Sequence, residues 1–142
     1  MRAVEHAVLL VATILVVASS YSTAPAQKCL NYGPTVSLNG KLSAQIFPGR
    51  PNYESIKKGD ESERAIILKL SSPICTNHGP DGFDAAETNV RVVQLVVMQS
   101  TQWKTVESRL GRRVRVTCTL FHGHTGHHRT AVLIMVSAIR PA

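Results

Sequence analysis

Apolar and polar side chains alternate most cleanly between residues 112 and 121, where Val114, Val116, Cys118 and Leu120 take every second place among Arg115, Thr117, Thr119 and Phe121. A period of two marks a strand with one buried and one outer face. A second apolar strand follows from about 130 to 139, and the link between them carries His122, His124, His127 and His128 within seven residues. Upstream, residues 35–46 alternate around an Asn39-Gly40 step, which suits a bulge or sharp coil in a long first strand, or alternatively a hairpin turn. Residues 64–70 form the next strand, ended by Pro73 and Cys75. Residues 90–98 are apolar on both faces, hence central to a sheet. The period then changes: Trp103, Val106 and Leu110 fall at i, i+3 and i+7, one stripe of a helix. Ser100 or Thr101 is placed to cap its start and Gly111 to end it in a left-handed conformation. Trp103 on that stripe is expected as a core plug.

The order is strand, strand, strand, helix, strand, strand. Five strands with one helix between the third and fourth is the order of a mostly β, oligonucleotide/oligosaccharide-binding (OB)-like barrel. A half-open five-stranded sheet packed by one helix is the alternative. In the barrel, the long segments 47–63 and 122–129 become the two loops that flank a binding face. Segment 47–63 holds few core formers, yet Phe47, Tyr53 and Ile56 give it enough apolar content to pack down as an ordered loop.

The amino terminus changes the compartment. Residues 7–18 are apolar but shorter than the ~20 needed to span a bilayer, and Ala24-Pro25-Ala26 fits a signal-peptidase site. Residues 1–26 therefore read as a cleaved signal peptide and 27–142 as one domain, exported to the periplasm or outside the cell; an uncleaved anchor is the alternative. Export makes the cysteines informative. Of the three, Cys118 lies on the buried face of its strand, so Cys29 with Cys75 is the preferred bridge over the two other pairings. Closing that loop stabilises the fold by ~4 kcal/mol in the chain-entropy model.

Charge narrows the partners. The formal net charge of +7 survives signal removal, since Arg2 and Glu5 leave together. It favours an anionic ligand, a glycan or an envelope protein; scarce aromatics and export argue against nucleic acid, and the single domain is expected to act as a monomer.

The segments FPGRPNYESIKKGDE and TLFHGHTGHHRTAVL resemble the two signatures of a bacterial family of small exported domains catalogued only as a domain of unknown function. The resemblance runs from about Gly33 to Ile139. The chain departs from that pattern at Arg50, where proline is usual, at Cys118, where glycine is usual, and at Arg129, where a further histidine is common. The resemblance implies compartment and domain limits but no chemistry.

Candidate chemistry therefore comes from the residues. A tight turn around Gly123–Gly126 sets His122 and His127 across a hairpin, with Cβ atoms ~5 Å apart. The reading favoured here is a binding module whose cleft is lined by Phe47, Asn52, Tyr53, Glu54, His122, His124, His127, His128 and Arg129, with Arg112, Arg113, Arg115, Lys57 and Lys58 attracting an anion. The alternative is zinc or copper held by His122, His124 and His127, with Glu54 or Asp60 as an oxygen ligand. Asp81, Asp84 and Glu87 do not match a calcium loop. A small hydrolase using histidine with Glu54 or Ser55 is third, since no nucleophile elbow or zinc-protease helix is present.

Overall fold

A computed structural model describes residues 28–142. The expected signal peptide lies outside the described residues. Among the described residues no helix is long and apolar enough to cross a membrane. Over the described residues the chain is mostly β, with a five-stranded sheet and a single α-helix. Its elements are β1 (Thr35–Pro48), a 3₁₀ turn (Ile56–Lys58), β2 (Ser62–Thr76), β3 (Glu87–Val96), α1 (Ser100–Ser108), β4 (Arg113–His122) and β5 (Val132–Pro141). The strands pair in the order β1-β2-β3-β5-β4, and β4 returns to β1, so the sheet closes on itself as a barrel. All pairings are antiparallel except β3 with β5, a short parallel seam from Gln94↔Leu133 to Val96↔Met135.

Closure depends on β1 serving two partners in turn. Residues 35–41 pair with β4 and residues 40–48 with β2, so the strand changes neighbour at Gly40 and Lys41. A Cβ on Gly40 would stand 2.4 Å from the Lys69 carbonyl oxygen. Only glycine lets β2 approach so closely, and the Asn39-Gly40 step is the coil of one long strand, not a hairpin turn.

The interior is built from alternate residues. On β4, Val114, Val116, Cys118 and Leu120 are all buried. They join Leu38 and Leu42 of β1, Ile66 and Leu68 of β2, Val93 and Leu95 of β3, and Ile134 and Val136 of β5 in one cluster. Each fully buried Leu or Ile contributes ~2 kcal/mol relative to exposure. Cys118 is a buried free thiol, and burial pushes its pKa up to about 12.

Four expectations are corrected. β2 runs through Pro73 to Thr76, because the β2–β3 register shifts between Lys69 and Ile74 and proline is tolerated in such irregular stretches. β3 ends at Val96, leaving Met98 71% exposed beyond it. On α1, Val106 is fully buried but Trp103 is 39% exposed. The helix is held at its later turns, where Glu107 accepts two bonds from Arg64 at 2.7 and 3.1 Å and the Gly111 N–H reaches the Leu42 carbonyl at 2.9 Å. Trp103, one turn earlier, sits at the rim. Gln99 is the N-cap residue and makes no side-chain cap, so neither Ser100 nor Thr101 serves there. Gly111 does adopt φ +76° after the helix.

The segment before β1 is fastened to the end of β2. Cys29 and Cys75 form the expected disulfide. Leu30 donates to the Cys75 carbonyl at 2.8 Å and accepts from the Asn77 N–H at 2.9 Å. Buried Tyr32 follows, its hydroxyl 2.9 Å from Thr76 Oγ1 and 2.8 Å from the Ala85 carbonyl. Removing the crosslink with Cys29→Ser and Cys75→Ser should cost about 4 kcal/mol and lower the melting midpoint by roughly 15 °C, as read by circular dichroism. Cys118 should resist iodoacetamide until the protein unfolds.

Candidate functional site

The β1–β2 loop is organised by Asp60, whose side chain is buried at 5% exposure. Its Oδ1 accepts from the backbone N–H and side-chain amide of Asn52 at 3.0 and 3.2 Å; its Oδ2 accepts from the N–H groups of Glu54 and Ser55, both at 2.8 Å. Donors to the charged form favour it. The backbone bonds of Ser55 and Asn52, foremost, outweigh desolvation and hold the carboxyl below the usual carboxylate range. Asp60, expected as a possible metal ligand, is spent inside its own loop. The Glu54 side chain is exposed, and the Asn52 amide belongs to the brace. Tyr53, between them, sits at φ +60°, with its N–H on the Gly49 carbonyl at 2.8 Å.

Tyr53 points across to the β4–β5 loop. Its hydroxyl lies 3.0 Å from His127 Nε2, and His127 Nδ1 lies 2.5 Å from Glu63 Oε1. A carboxylate only accepts, so Nδ1 carries a proton and donates it in a hydrogen bond to Glu63. The other Glu63 oxygen binds the Arg129 guanidinium. Only 7% of the Arg129 side chain is exposed, and its guanidinium carbon lies 5.4 Å from the ring centres of both Phe47 and Tyr53. Phe47 and Glu63 are register partners, so β1 and β2 deliver ring and carboxylate side by side. Desolvation pushes the Glu63 carboxyl upward, but the His127 hydrogen bond and the charges of His127 and Arg129 together hold it below its ordinary value.

Gln94 fixes this loop to the sheet. Its side chain donates to the His127 carbonyl at 3.1 Å and accepts from the Arg129 N–H at 2.6 Å, while its own N–H reaches Thr130 Oγ1 at 2.9 Å. Gln94 pairs with Ile67 on one side and Leu133 on the other, both buried. Sequence reasoning missed Gln94 and Glu63. The signal for Gln94 was there: it is the one polar side chain in the run VVQLVV.

The remaining histidines turn to the β2–β3 loop. His122 Nε2 lies 2.8 Å from Glu87 Oε1, and its backbone N–H donates to Asp84 Oδ1 at 2.9 Å. His124 Nδ1 donates to the His122 carbonyl at 2.9 Å, and the His124 N–H donates to His128 Nδ1 at 3.0 Å. The two rings meet edge to face at 5.0 Å, and His128 also meets Phe121 at 5.6 Å. Desolvation first, then repulsion from His124 and His127, pushes the His128 pKa down.

The tight hairpin is therefore corrected: the residue opposite His122 is Val132, and His122 and His127 bond to carboxylates from different segments. The structure brings Phe47, Tyr53, His127 and Arg129 together; His122, His124 and His128 form a second group, and Asn52 and Glu54 join neither. Among the described residues no group of three or more His, Cys, Asp or Glu side chains is placed to hold a metal. The zinc or copper set His122, His124 and His127 is not assembled, because His127 is drawn away to Glu63.

Two depressions open on this surface. One, about 510 Å³, is lined by His124, Thr125, His128 and Arg129 of the β4–β5 loop. The other, about 360 Å³, is lined by Asp81, Phe83, Asp84 and His124. Phe83 is 86% exposed, the most exposed large apolar side chain among the described residues. Chemically, the Glu63–His127–Tyr53 chain can relay a proton to or from a phenol, while the second depression offers an aromatic face beside two carboxylates and an imidazole.

Residues 92–140 match the model of a family described as Domain of unknown function (DUF4431). The match takes in α1, β4 and the histidine loop, and leaves out residues 47–61. No curated protein and no solved structure matches the chain.

Two carboxylates test this architecture. Because the folded pKa of Asp60 lies below its unfolded value, it contributes stability that is present above about pH 4 and lost as pH falls through the folded pKa. The difference in unfolding free energy between wild type and Asp60→Ala should be constant from about pH 5 to 7 and shrink on acidification, measured by urea titration. Glu63→Gln leaves a buried guanidinium without its counter-charge. The penalty for breaking a buried pair, reduced by the partial exposure of Glu63, should be roughly 2 kcal/mol at neutral pH.

Proposed function

We propose that the protein is an exported, monomeric, single-domain binding module that takes a glycan where the β4–β5 loop meets the β2–β3 loop, with no chemical step. The observation that carries this reading is Phe83, exposed at the edge of a depression it shares with Asp81, Asp84 and His124. A pyranose presents an apolar C–H face that packs on an aromatic ring and a rim of hydroxyls that need acceptors. An exposed ring flanked by carboxylates and an imidazole meets both needs.

The surrounding structure supports a preformed surface. Asp84 is positioned by the His122 N–H, His122 by Glu87, and the far end of the loop by Gln94 and the Glu63–Arg129 pair. Rigid walls reduce the ordering cost of binding. Of the ligand classes anticipated, an anion is disfavoured here. The Arg129 charge is already taken by Glu63, and Asp81 and Asp84 would repel it. The Glu63–His127–Tyr53 chain is read as a brace between loops. The barrel is read as OB-like, on the strand order β1-β2-β3-β5-β4 with α1 between β3 and β4 and on loops that meet beside the β2–β3 face. Export is favoured by the amino-terminal apolar run and by a disulfide, which persists in oxidising compartments.

A glycan array followed by NMR titration with N-acetylglucosamine oligomers, or with the best array hit, tests the reading. Phe83, His124 and His128 resonances should shift, and Phe83→Ala with His124→Ala should weaken binding at least tenfold while the melting midpoint stays within about 2 °C. Undiminished binding by that variant, or no glycan bound at all, refutes the site.

A further inference from the structure

A second surface is carried by the strands themselves and shares no residue with the loops. Lys41 on β1 is the register partner of both Lys69 on β2 and Arg113 on β4. Three cations therefore stand in line across three strands at ~5 Å steps. Two residues further along β4, on the same face, Arg115 is the register partner of Arg140 on β5. All five side chains are exposed.

None of them takes part in an ion pair among the described residues. Those pairs join Arg64 to Glu107, His122 to Glu87, and His127 and Arg129 to Glu63. Their hydrogen bonds go to neutral groups: Arg113 to Ser71 Oγ at 3.5 Å and Arg115 to Asn39 Oδ1 at 3.1 Å. Like charges placed directly opposite on neighbouring strands repel and destabilise a sheet. The cost falls on one face of β2, β1, β4 and β5, and an anion seated there would relieve it.

The face also holds depressions. A depression of about 250 Å³ is lined by Lys41, Lys69, Leu70, Ser71 and Arg113. Another of about 160 Å³, which shares Leu70 and Ser71, adds Ser37, Asn39 and Ser72. No carboxylate lines either. Ammonium and guanidinium groups for charge, with hydroxyls and an amide for the remaining oxygens, is a donor set for tetrahedral oxyanions.

We propose that this face is a binding site for a soluble linear polyanion whose charges are phosphate or sulfate groups. A chain is favoured over a lipid surface because Lys41, Lys69 and Arg113 line a depression, and because only Val92, beside Lys69, borders the row among the exposed large apolar side chains. Little is offered for insertion between acyl chains. The proposal is independent of the glycan reading, which uses other residues.

The test uses fluorescently labelled long-chain inorganic polyphosphate and anisotropy at 50 and 200 mM salt. Binding should weaken steeply with salt, as counterion release requires. Lys41→Ser with Arg113→Ser, and separately Arg115→Ser with Arg140→Ser, should each lower affinity at least tenfold at 50 mM and flatten the salt dependence. Lys57→Ser with Lys58→Ser removes the same charge from the β1–β2 loop and should change affinity less than twofold. Polyphosphate should raise the melting midpoint of the wild type but not of K41S/R113S, with circular dichroism confirming that each variant is folded. Equal loss in the loop variant would assign the attraction to net charge alone and overturn the proposal. So would absence of polyphosphate binding, or binding only to vesicles of phosphatidylglycerol in phosphatidylcholine.

Discussion

A guanidinium withdrawn from water needs a counter-charge and flat apolar surfaces, and Arg129 obtains all three from residues far away in the chain. Glu63 supplies the charge; Phe47 and Tyr53 supply the faces. Meeting that requirement fixes the geometry around it. Glu63, bound through one oxygen to Arg129, offers the other to His127, and His127 then holds the Tyr53 hydroxyl. Two loops that could have moved separately become one wall. Asp60 plays the corresponding part within the β1–β2 loop, where four donors on one carboxylate replace the regular pairing that the chain there lacks.

What the sequence discloses about this molecule is mostly what can be judged from neighbours. The alternation of Val114, Val116, Cys118 and Leu120 identifies a strand and its buried face, because a period of two belongs to one strand alone. The bridge from Cys29 to Cys75 follows by setting aside a cysteine on that face. The long first strand with a coil at Gly40 follows from a closed barrel's need for one strand to serve two partners. The contacts that make the loops rigid are different in kind. Glu63 and Arg129, or Gln94 and His127, are brought together only by the barrel's closure, so no local pattern announces them. Trp103 misleads for the same reason. Its helical stripe is real, but how far along that stripe the barrel reaches depends on Arg64 and Leu42, which lie on other strands.

Charge is distributed by the same logic. In the loops, Arg129 is paired and its field largely cancelled at short range, so an overall excess of cations does not make that surface attractive to anions. On the strands, register places Lys41 against Lys69 and Arg113, and the excess stays uncompensated. A formal charge of +7 is thus a poor guide to where an anion would be drawn. The arrangement, not the sum, decides it.

The crowding of histidines bears on metal chemistry in a similar way. A metal needs lone pairs that converge, and hydrogen bonding determines which lone pairs remain. His122 donates its Nε2–H in a hydrogen bond to Glu87 and His124 its Nδ1–H to a carbonyl, while His128 uses its Nδ1 lone pair to accept from a backbone N–H. His127 spans Glu63 and Tyr53. Each imidazole is therefore engaged in holding a different part of the loop. The loop is anchored on one side to Glu63 and Gln94 and on the other to Asp84 and Glu87, and that division separates the rings. Four imidazoles in seven residues act here as short polar ties for a loop with glycine at 123 and 126 and no regular ladder of its own, and the same ties hold His124 in place at the depression it lines with Phe83.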